Sequence, residues 1–281
     1  MANPIVFKIL ESIANDLSGD EINFPTFLDI TLQVRTVLKS PSFSMEKLAK
    51  LVSAEPLMST QIVRMANSVA LNPVGRQVAD VKTAIIRVGT DTVRTISFAV
   101  AMKQILYGKG MLVFKDLPRR LWEHSAYAAA LCRALARRLL KGKVSEDEAM
   151  FAGLVHDIGA FYLLFRATQF PELADDEEGL YTLLGGWHDS IGVSLLSAMG
   201  QSEALLCAVQ EHEQPREIKA VENLSDLLYV ADKLAHLVSP WRPVDASDSD
   251  VLAQLFDADT LQALLDESET EVLSLKQALN G

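Results

Sequence analysis

The sequence predicts an all-α protein, and three observations predict it. Apolar residues recur at the three-to-four-residue spacing of an amphipathic helix through most of the chain. Residues that start and stop helices bracket those segments. No stretch alternates apolar and polar residues between hairpin turns, as a half-buried strand would require.

The elements follow in order. Ser44 is placed to cap a helix carrying Leu48, Leu51 and Val52. Pro56 opens a second, whose Leu57, Ile62 and Met65 lead into Ala66-Asn67-Ser68. Asp80 caps a short helix bearing Val81, Ala84, Ile85 and Val88 that stops at Gly89, and Thr90 caps the next, through Val93, Ile96 and Val100. Pro118 suits the first turn of a long helix ending near Lys141-Gly142. Ser145-Glu-Asp-Glu148 is a capping box. It opens a helix that carries His156 and ends at Gly159, with Asp157 near its C-terminus. Further helices are expected over 187–199, 202–213 and 222–238, stopped by Gly200, Pro215 and Pro240. Beyond Pro243, two or three short acidic helices put Leu252, Leu255, Leu261, Leu264, Leu265 and Leu275 on apolar faces.

With 281 residues, 49% hydrophobic and 22% charged, the chain has ample material for a core. A net charge of −11 argues against general nucleic-acid binding, because phosphate contacts need a basic surface. The charge is uneven: residues 241–281 hold nine acidic and two basic side chains, whereas 115–143 hold eight basic and two acidic. Two cysteines, Cys132 and Cys207, make no disulfide framework, and no secretory signal opens the sequence, so a cytoplasmic location is expected. The apolar run over 149–165 carries His156, Asp157 and two glycines, falls short of the roughly 18 residues of a membrane span, and reads as a core helix pair.

The chemistry centres on His156-Asp157. Between residues 149 and 164 the only other polar side-chain atom is the hydroxyl of Tyr162. An imidazole and a carboxylate buried side by side must be paired, hydrogen-bonded or bound to metal. An Asp at a helix C-terminus also needs a compensating positive charge, and a structural ion pair with Arg166 is one source. His124 lies in the stripe Leu121, Ala128, Leu131, Leu135, where a core histidine bonded to a carbonyl is the simpler alternative. Asp232 sits at the edge of the stripe Leu228, Ala231, Ala235, and His236, four residues on, could pair with it at the helix surface. His236 is expected to face solvent. His188 shares a face with Ile191 and Leu195, and His212 with Leu205, Ala208 and Val209. Four of five histidines thus occupy apolar faces. Imidazole and carboxylate suit zinc, manganese or iron, and two-metal sites are assembled from them. Arg133 and Arg137 fall on the far side of their helix from His124, which leaves Arg120, one turn before it, as the candidate anion contact. Without a phosphate-cradling loop, a serine elbow or a cysteine zinc pattern, catalysis narrows to metal-assisted hydrolysis.

His124, His156-Asp157 and Asp232 resemble the H…HD…D metal quartet of the HD phosphohydrolase superfamily. Ala54-Glu-Pro-Leu-Met-Ser-Thr-Gln-Ile-Val-Arg-Met-Ala-Asn-Ser68, Ala84-Ile-Ile-Arg-Val-Gly89 with Val93-Arg94, Leu121-Trp-Glu-His-Ser125, Ala152-Gly-Leu-Val-His-Asp-Ile-Gly159 and His188…Gly192 resemble, in order, the motifs of its HDOD branch. The resemblance covers about residues 22–238. It implies a multi-helix bundle of HD-domain type: an N-terminal helical subdomain over 1–112, an HD-like bundle over 113–240, and here an acidic helical tail over 241–281. HDOD proteins are mostly regarded as bacterial signalling or regulatory modules, many without the quartet. The chain is also similar at His188 and His212 to the cyclic-dinucleotide phosphodiesterases of the HD-GYP type. It departs from them at Glu213, which replaces the second histidine of a pair, and at Ala160, which replaces the lysine of their HDIGK motif.

The resemblance implies metal ligation by His124, His156, Asp157 and Asp232, with His188, His212 and Glu213 lining a second position. The metal expected with such ligands is divalent iron, manganese or zinc. Three readings stay open: a regulatory module with signalling-protein partners, a metal-dependent phosphohydrolase acting on a nucleotide or cyclic-dinucleotide phosphodiester, and a metal-free ionic network. A phosphate-containing small ligand and a homodimer formed through the tail are further expectations, and neither a nucleic acid nor a membrane is an expected partner.

Overall fold

The computed structural model describes residues 4–18, 28–68, 71–72, 75–243 and 246–279, and all regular structure among them is helical. The chain divides into two compact units. One comprises Met1–Phe24 with Ile105–Ser268, the other Pro25–Gln104 with Glu269–Gly281.

The second of these carries α2 (Asp29–Lys39), α3 (Met45–Ser53), α4 (Pro56–Ala66), α5 (Val81–Val88) and most of α6 (Thr90–Leu106). The expected caps are present: the Ser44 hydroxyl accepts from the Lys47 amide and Asp80 Oδ1 from the Thr83 amide. Thr90 is the first residue of α6 rather than its cap. Leu48, Val52, Met58, Ile62, Ala84, Ile85 and Val93 are fully buried. Asn67, from the Ala-Asn-Ser motif, uses both ends of its amide on Val78, donating to its carbonyl at 2.7 Å and accepting from its amide at 2.9 Å. That motif residue therefore fastens the end of α4 to the segment leading into α5.

The larger unit contains α1 (Pro4–Ser18), α7 (Leu117–Leu139), α8 (Glu146–Val155), α9 (Ile158–Ala167), α10 (Glu177–Ala198), α11 (Glu203–Glu211), α12 (Leu224–Val238), α13 (Ala246–Leu255) and α14 (Ala258–Leu279) as far as Ser268. Pro118 lies in the first turn of α7, and Ser145 caps α8 by accepting from the Glu148 amide. α8 packs on α7 and α9 on α10, while α12 lies against both α7 and α11. Two glycines allow the closest approaches. A Cβ at Gly153 would stand 2.5 Å from the Ala128 carbonyl oxygen, where α7 is itself lined by Ala128, Ala129 and Ala130. A Cβ at Gly159 would collide with the carbonyl of His188 on α10.

Three expectations are corrected here. The helix of His156 ends at Val155, not Gly159: the chain breaks at His156 and Asp157, and Asp157 (φ −93°, ψ 14°) is the N-cap of α9. It thus stands at the positive end of α9, although its carboxylate makes no cap hydrogen bond and is turned toward the histidines. Continuous apolar packing on both sides of the break hid it from a period-based reading. The tail forms two helices, and α14 has 22 residues rather than being short; Leu252 and Leu264 are buried in it, and the Leu275 side chain lies outside the described residues. Finally, the apolar stretch Glu146–Ala167 is 22 residues long rather than short of a span, while the core helix pair expected there is borne out, with 89% of its most apolar window buried within the protein.

Candidate metal centre

Six helices and their junctions bring the predicted side chains together. His124 comes from the middle of α7, His156 and Asp157 from the α8–α9 break, His188 from α10, His212 and Glu213 from the end of α11, and Asp232 from α12. The imidazoles and both aspartates are 0–1% exposed.

Each of these four histidines donates from Nδ1 to a backbone carbonyl: His124 to Ser239 (3.2 Å), His156 to Gly153 (2.8 Å), His188 to Leu184 (2.9 Å) and His212 to Val209 (2.6 Å). A carbonyl can only accept, so Nδ1 carries the hydrogen and the Nε2 lone pair is presented to the centre. Two Nε2 pairs then face each other, His124 with His156 at 3.3 Å and His188 with His212 at 3.2 Å. Two bare lone pairs at that separation repel, so something positive must lie between them.

Asp157 lies between the two pairs. Its Oδ2 is 3.2 Å from His156 Nε2 and 3.7 Å from His124 Nε2, while its Oδ1 is 3.6 Å from His188 Nε2 and 3.8 Å from His212 Nε2. Asp232 Oδ1 completes the first group, 3.0 Å from His124 Nε2 and 3.4 Å from His156 Nε2. Glu213 Oε1 completes the second, 3.5 Å from His188 Nε2, and is held on its outer side by Arg242 at 2.6 Å. Both oxygens of Asp157 and Oδ2 of Asp232 are buried without a hydrogen-bond donor. Donors that share an ion at roughly 2.0–2.2 Å stand about 3.0–3.6 Å from one another. The separations in both groups, 3.0–3.8 Å, fit two adjacent cation positions bridged by Asp157.

The electrostatics fit the same arrangement. Burial holds His124 below the ordinary imidazole range. His156 is also buried, but the Asp157 and Asp232 carboxylates outweigh burial and hold it well above that range, and His212 is raised by Asp157 in the same way. Asp157 and Asp232 stay well below the usual carboxylate range despite burial, because His156 beside the first and His236 and His124 beside the second favour their charge. Without metal, protons occupy the places that a cation would fill.

All of the quartet His124, His156, Asp157 and Asp232 converge, as do His188, His212 and Glu213. Arg120 is not brought into the group: its Nε lies 3.1 Å from Asp116 and its Nη2 donates to Tyr181, beside a cavity of about 70 Å³. Arg166, the alternative partner for Asp157, donates to Ser12. The sequence reading erred on His236, which is 1% exposed, with Nδ1 3.3 Å from Asp232 Oδ1 and its ring 4.5 Å from that of His124. Four residues on a helix turn through about 400°, so His236 shares the inward face of Asp232, and that spacing was the available signal. Trp241 and Arg242 were also missed: the fully buried indole packs 6.0 Å from the His188 ring and 6.4 Å from the His236 ring. Both follow α12, where no periodicity marks an inward face.

The HDOD domain family model matches residues 24–215, a segment that stops short of Asp232. No curated protein matches the chain. Three of the solved structures that share its fold illustrate the likeness. One, a candidate metal-dependent phosphohydrolase of Shewanella amazonensis SB2B, is 22% identical with a TM-score of 0.66, over 95% of this chain and 99% of its own. The second is an HDOD domain protein of unknown function from Geobacter sulfurreducens, 23% identical with a TM-score of 0.62, over 97% of each chain. The third, a candidate signal transduction protein of Marinobacter aquaeolei VT8, is 19% identical with a TM-score of 0.63, over 98% of this chain and 66% of its own.

Proposed function

Because the chain belongs to the HDOD domain family, we propose that it is a bacterial, cytoplasmic regulatory module of signal transduction, built around a buried divalent-metal centre and acting through protein partners. On this reading residues 113–240 form the HD-like bundle that holds metal, with 1–112 as the N-terminal helical subdomain and 241–281 as the acidic tail. The name of the Marinobacter relative supports a signalling role, and that of the Shewanella relative supports a metal.

The observation that carries the metal is the fixed tautomer of four histidines, all aiming Nε2 at the two unpartnered oxygens of Asp157. His124, His156, Asp157 and Asp232 would hold one ion, and His188, His212, Asp157 and Glu213 a second. Donors that are all nitrogen and oxygen suit iron, manganese or zinc. Bound there, a divalent ion supplies Lewis acidity toward a phosphoryl oxygen.

Closure of the centre favours regulation over turnover. Its histidines and aspartates are 0–1% exposed and the Glu213 side chain 21%, which favours a closed centre over one that admits a phosphate ester. Ala160, fully buried, stands where the similar phosphodiesterases keep a lysine, so a cation that would help hold phosphate is missing. The two adjacent positions bridged by Asp157 favour the alternative, a metal-dependent phosphohydrolase, because that is how two-metal sites clamp a phosphoryl group.

Elemental analysis of the purified full-length protein and of Asp157→Ala tests the metal, and a panel of nucleotides, cyclic dinucleotides and generic phosphodiesters with manganese tests turnover. The expectation is metal in the wild type, little in the variant, and no turnover. Turnover abolished by Asp157→Ala would replace the regulatory reading with the hydrolase. A protein free of metal would leave the ionic network. No nucleic acid or membrane is proposed as a partner. A homodimer through the tail is tested by deleting residues 244–281 and measuring mass in solution; an unchanged mass removes it.

A further inference from the structure

The histidine that sequence reasoning placed in solvent differs from its four neighbours in the centre. Each of those has Nδ1 tied to a carbonyl, whereas neither ring nitrogen of His236 makes a hydrogen bond. A buried imidazole left in that state loses its water with no hydrogen bond to offset the loss. It is not remote from charge. Its Nδ1 lies 3.3 Å from Asp232 Oδ1, outside hydrogen-bond geometry but at the spacing of the other donor edges in the centre. Donor atoms of His124, Asp232 and His236 all lie within 4.8 Å of one another. Opposite corners of a six-coordinate sphere stand about 4.0–4.4 Å apart, twice a bond of roughly 2.0–2.2 Å. His236 thus shares a donor cluster with His124 and Asp232, two of the residues around the first position, and its ring, 1% exposed and 6.4 Å from that of Trp241, has no wet surface to turn to.

We propose that His236, through Nδ1, is a further ligand of the ion held by His124, His156, Asp157 and Asp232. The proposal rests on the metal reading above and deepens it. Five protein donors, three nitrogens and two oxygens, exceed a tetrahedral zinc site and suit six-coordinate iron or manganese. They leave at most one position for water, whereas catalytic sites keep room for water and substrate. The first ion is therefore a closed, structure-setting one. The second position has Glu213, 21% exposed at its side chain, as its outermost donor and is the more exchangeable.

Cobalt(II) titration of the chelator-stripped full-length protein tests this, because five- and six-coordinate cobalt absorbs weakly in the visible and four-coordinate cobalt strongly. The wild type is expected to give a weak band at the first equivalent. His236→Gln and His236→Ala are expected to bind that equivalent at least tenfold more weakly with a more intense band. Calorimetric melting of the metal-free variants, with the glutamine filling the imidazole's space, checks that the fold is kept. Unchanged affinity and spectrum in folded variants overturn the proposal and leave the metal reading standing. So does an intense four-coordinate band in the wild type, a measurement that needs no variant to fold. A wild type that binds no cobalt overturns both.

Discussion

The backbone of Gly159, in the first turn of α9, rests against the carbonyl of His188 on α10, and no side chain fits between them. A Cβ at 159 would stand 2.6 Å from the Gly192 amide nitrogen and closer still to the His188 carbonyl oxygen. Both contacts are backbone, so neither can swing aside. The same junction sets Asp157 Oδ1 opposite His188 Nε2. Gly159→Ala should therefore separate α9 from α10 and lower stability by about 3 kcal/mol or more, as forced overpacking does at its severe end. Urea unfolding measures the loss. Metal titration should show the second position weakened more than the first, which draws nothing from α10. A variant as stable as the wild type would mean that the two helices do not meet this closely.

How much of this was legible in the sequence depends on whether a residue's role is local. Ser44, Asp80 and Ser145 were readable as caps because a cap acts within one turn. His124, His188 and His212 were readable as inward-facing because each shares a helical face with aliphatic residues. A helix pair was readable across 149–165, but its break was placed at Gly159 rather than at His156-Asp157, since the segment is buried all round and gives a period-based reading no wet face to orient by. Gly159 read as a helix stop for a related reason: a glycine selected for close approach looks, in sequence, like one that ends a helix. Asp232 and His236 carried equal evidence of position, four residues apart on one helix. Only the partners beyond α12, His124 and Trp241, distinguish a surface pair from a buried one.

Removing the metal should reverse the pH dependence of stability. In the metal-free protein His156 and His212 sit above the ordinary imidazole value of about 6.5 because carboxylates outweigh burial. Each contributes stability that is fully present below about pH 6.5 and lost as pH rises through its elevated folded value. Asp157 and Asp232, held low, contribute stability present above about pH 3.9 and lost as pH falls through their lower folded values. His124, held low by burial, works with the opposite sign and costs stability as pH falls below about 6.5, but the two raised histidines outnumber it, so the chelator-treated protein should be most stable between about pH 4 and 6.5 and weaken toward pH 8. An ion displaces those protons, so loading strengthens as pH rises. The gap in melting temperature between loaded and stripped protein should widen steadily from pH 6 to pH 8. A constant gap would mean that protons and metal do not share the site.

Arg242 should matter to one ion only. Burial works against a charged Glu213, but His188, His212 and Arg242 outweigh it and hold its carboxyl below the usual range. Arg242 fixes Oε1 from outside at 2.6 Å while the same oxygen lies 3.5 Å from His188 Nε2. Removing the guanidinium frees the carboxylate to rotate away and lets its affinity for protons recover. Arg242→Ala is expected to weaken the second metal position roughly tenfold, as loss of an orienting partner does, and to leave the first unchanged. Two successive binding steps in a calorimetric titration would resolve the pair. Equal weakening of both would instead point to a general collapse around Trp241.

One carboxylate on the tail, Glu267, serves two arginines of the bundle. Glu267 on α14 accepts from Arg137 Nη1 at 2.7 Å and from Arg138 Nε at 2.9 Å, and Arg137 also donates to Glu146 at 2.8 Å. The basic end of α7 is in this way covered by acidic side chains of the same chain. These groups are partly exposed, with Glu267 at 25% and the arginines near 40%, so water and salt weaken the contact. Glu267→Gln keeps the shape, removes the charge and leaves one oxygen for two guanidinium groups. The expected cost is about 1 kcal/mol, the upper end for exposed pairs. It should shrink as salt is raised from 50 mM to 500 mM, since only the ionic part is screened. Hydrogen exchange gives the local readout: amides around Leu264 should lose protection in the variant, while those of α8 and α9 keep theirs. Unchanged protection around Leu264 would mean that buried leucine contacts alone hold the helix down and that the arginines merely lie near it.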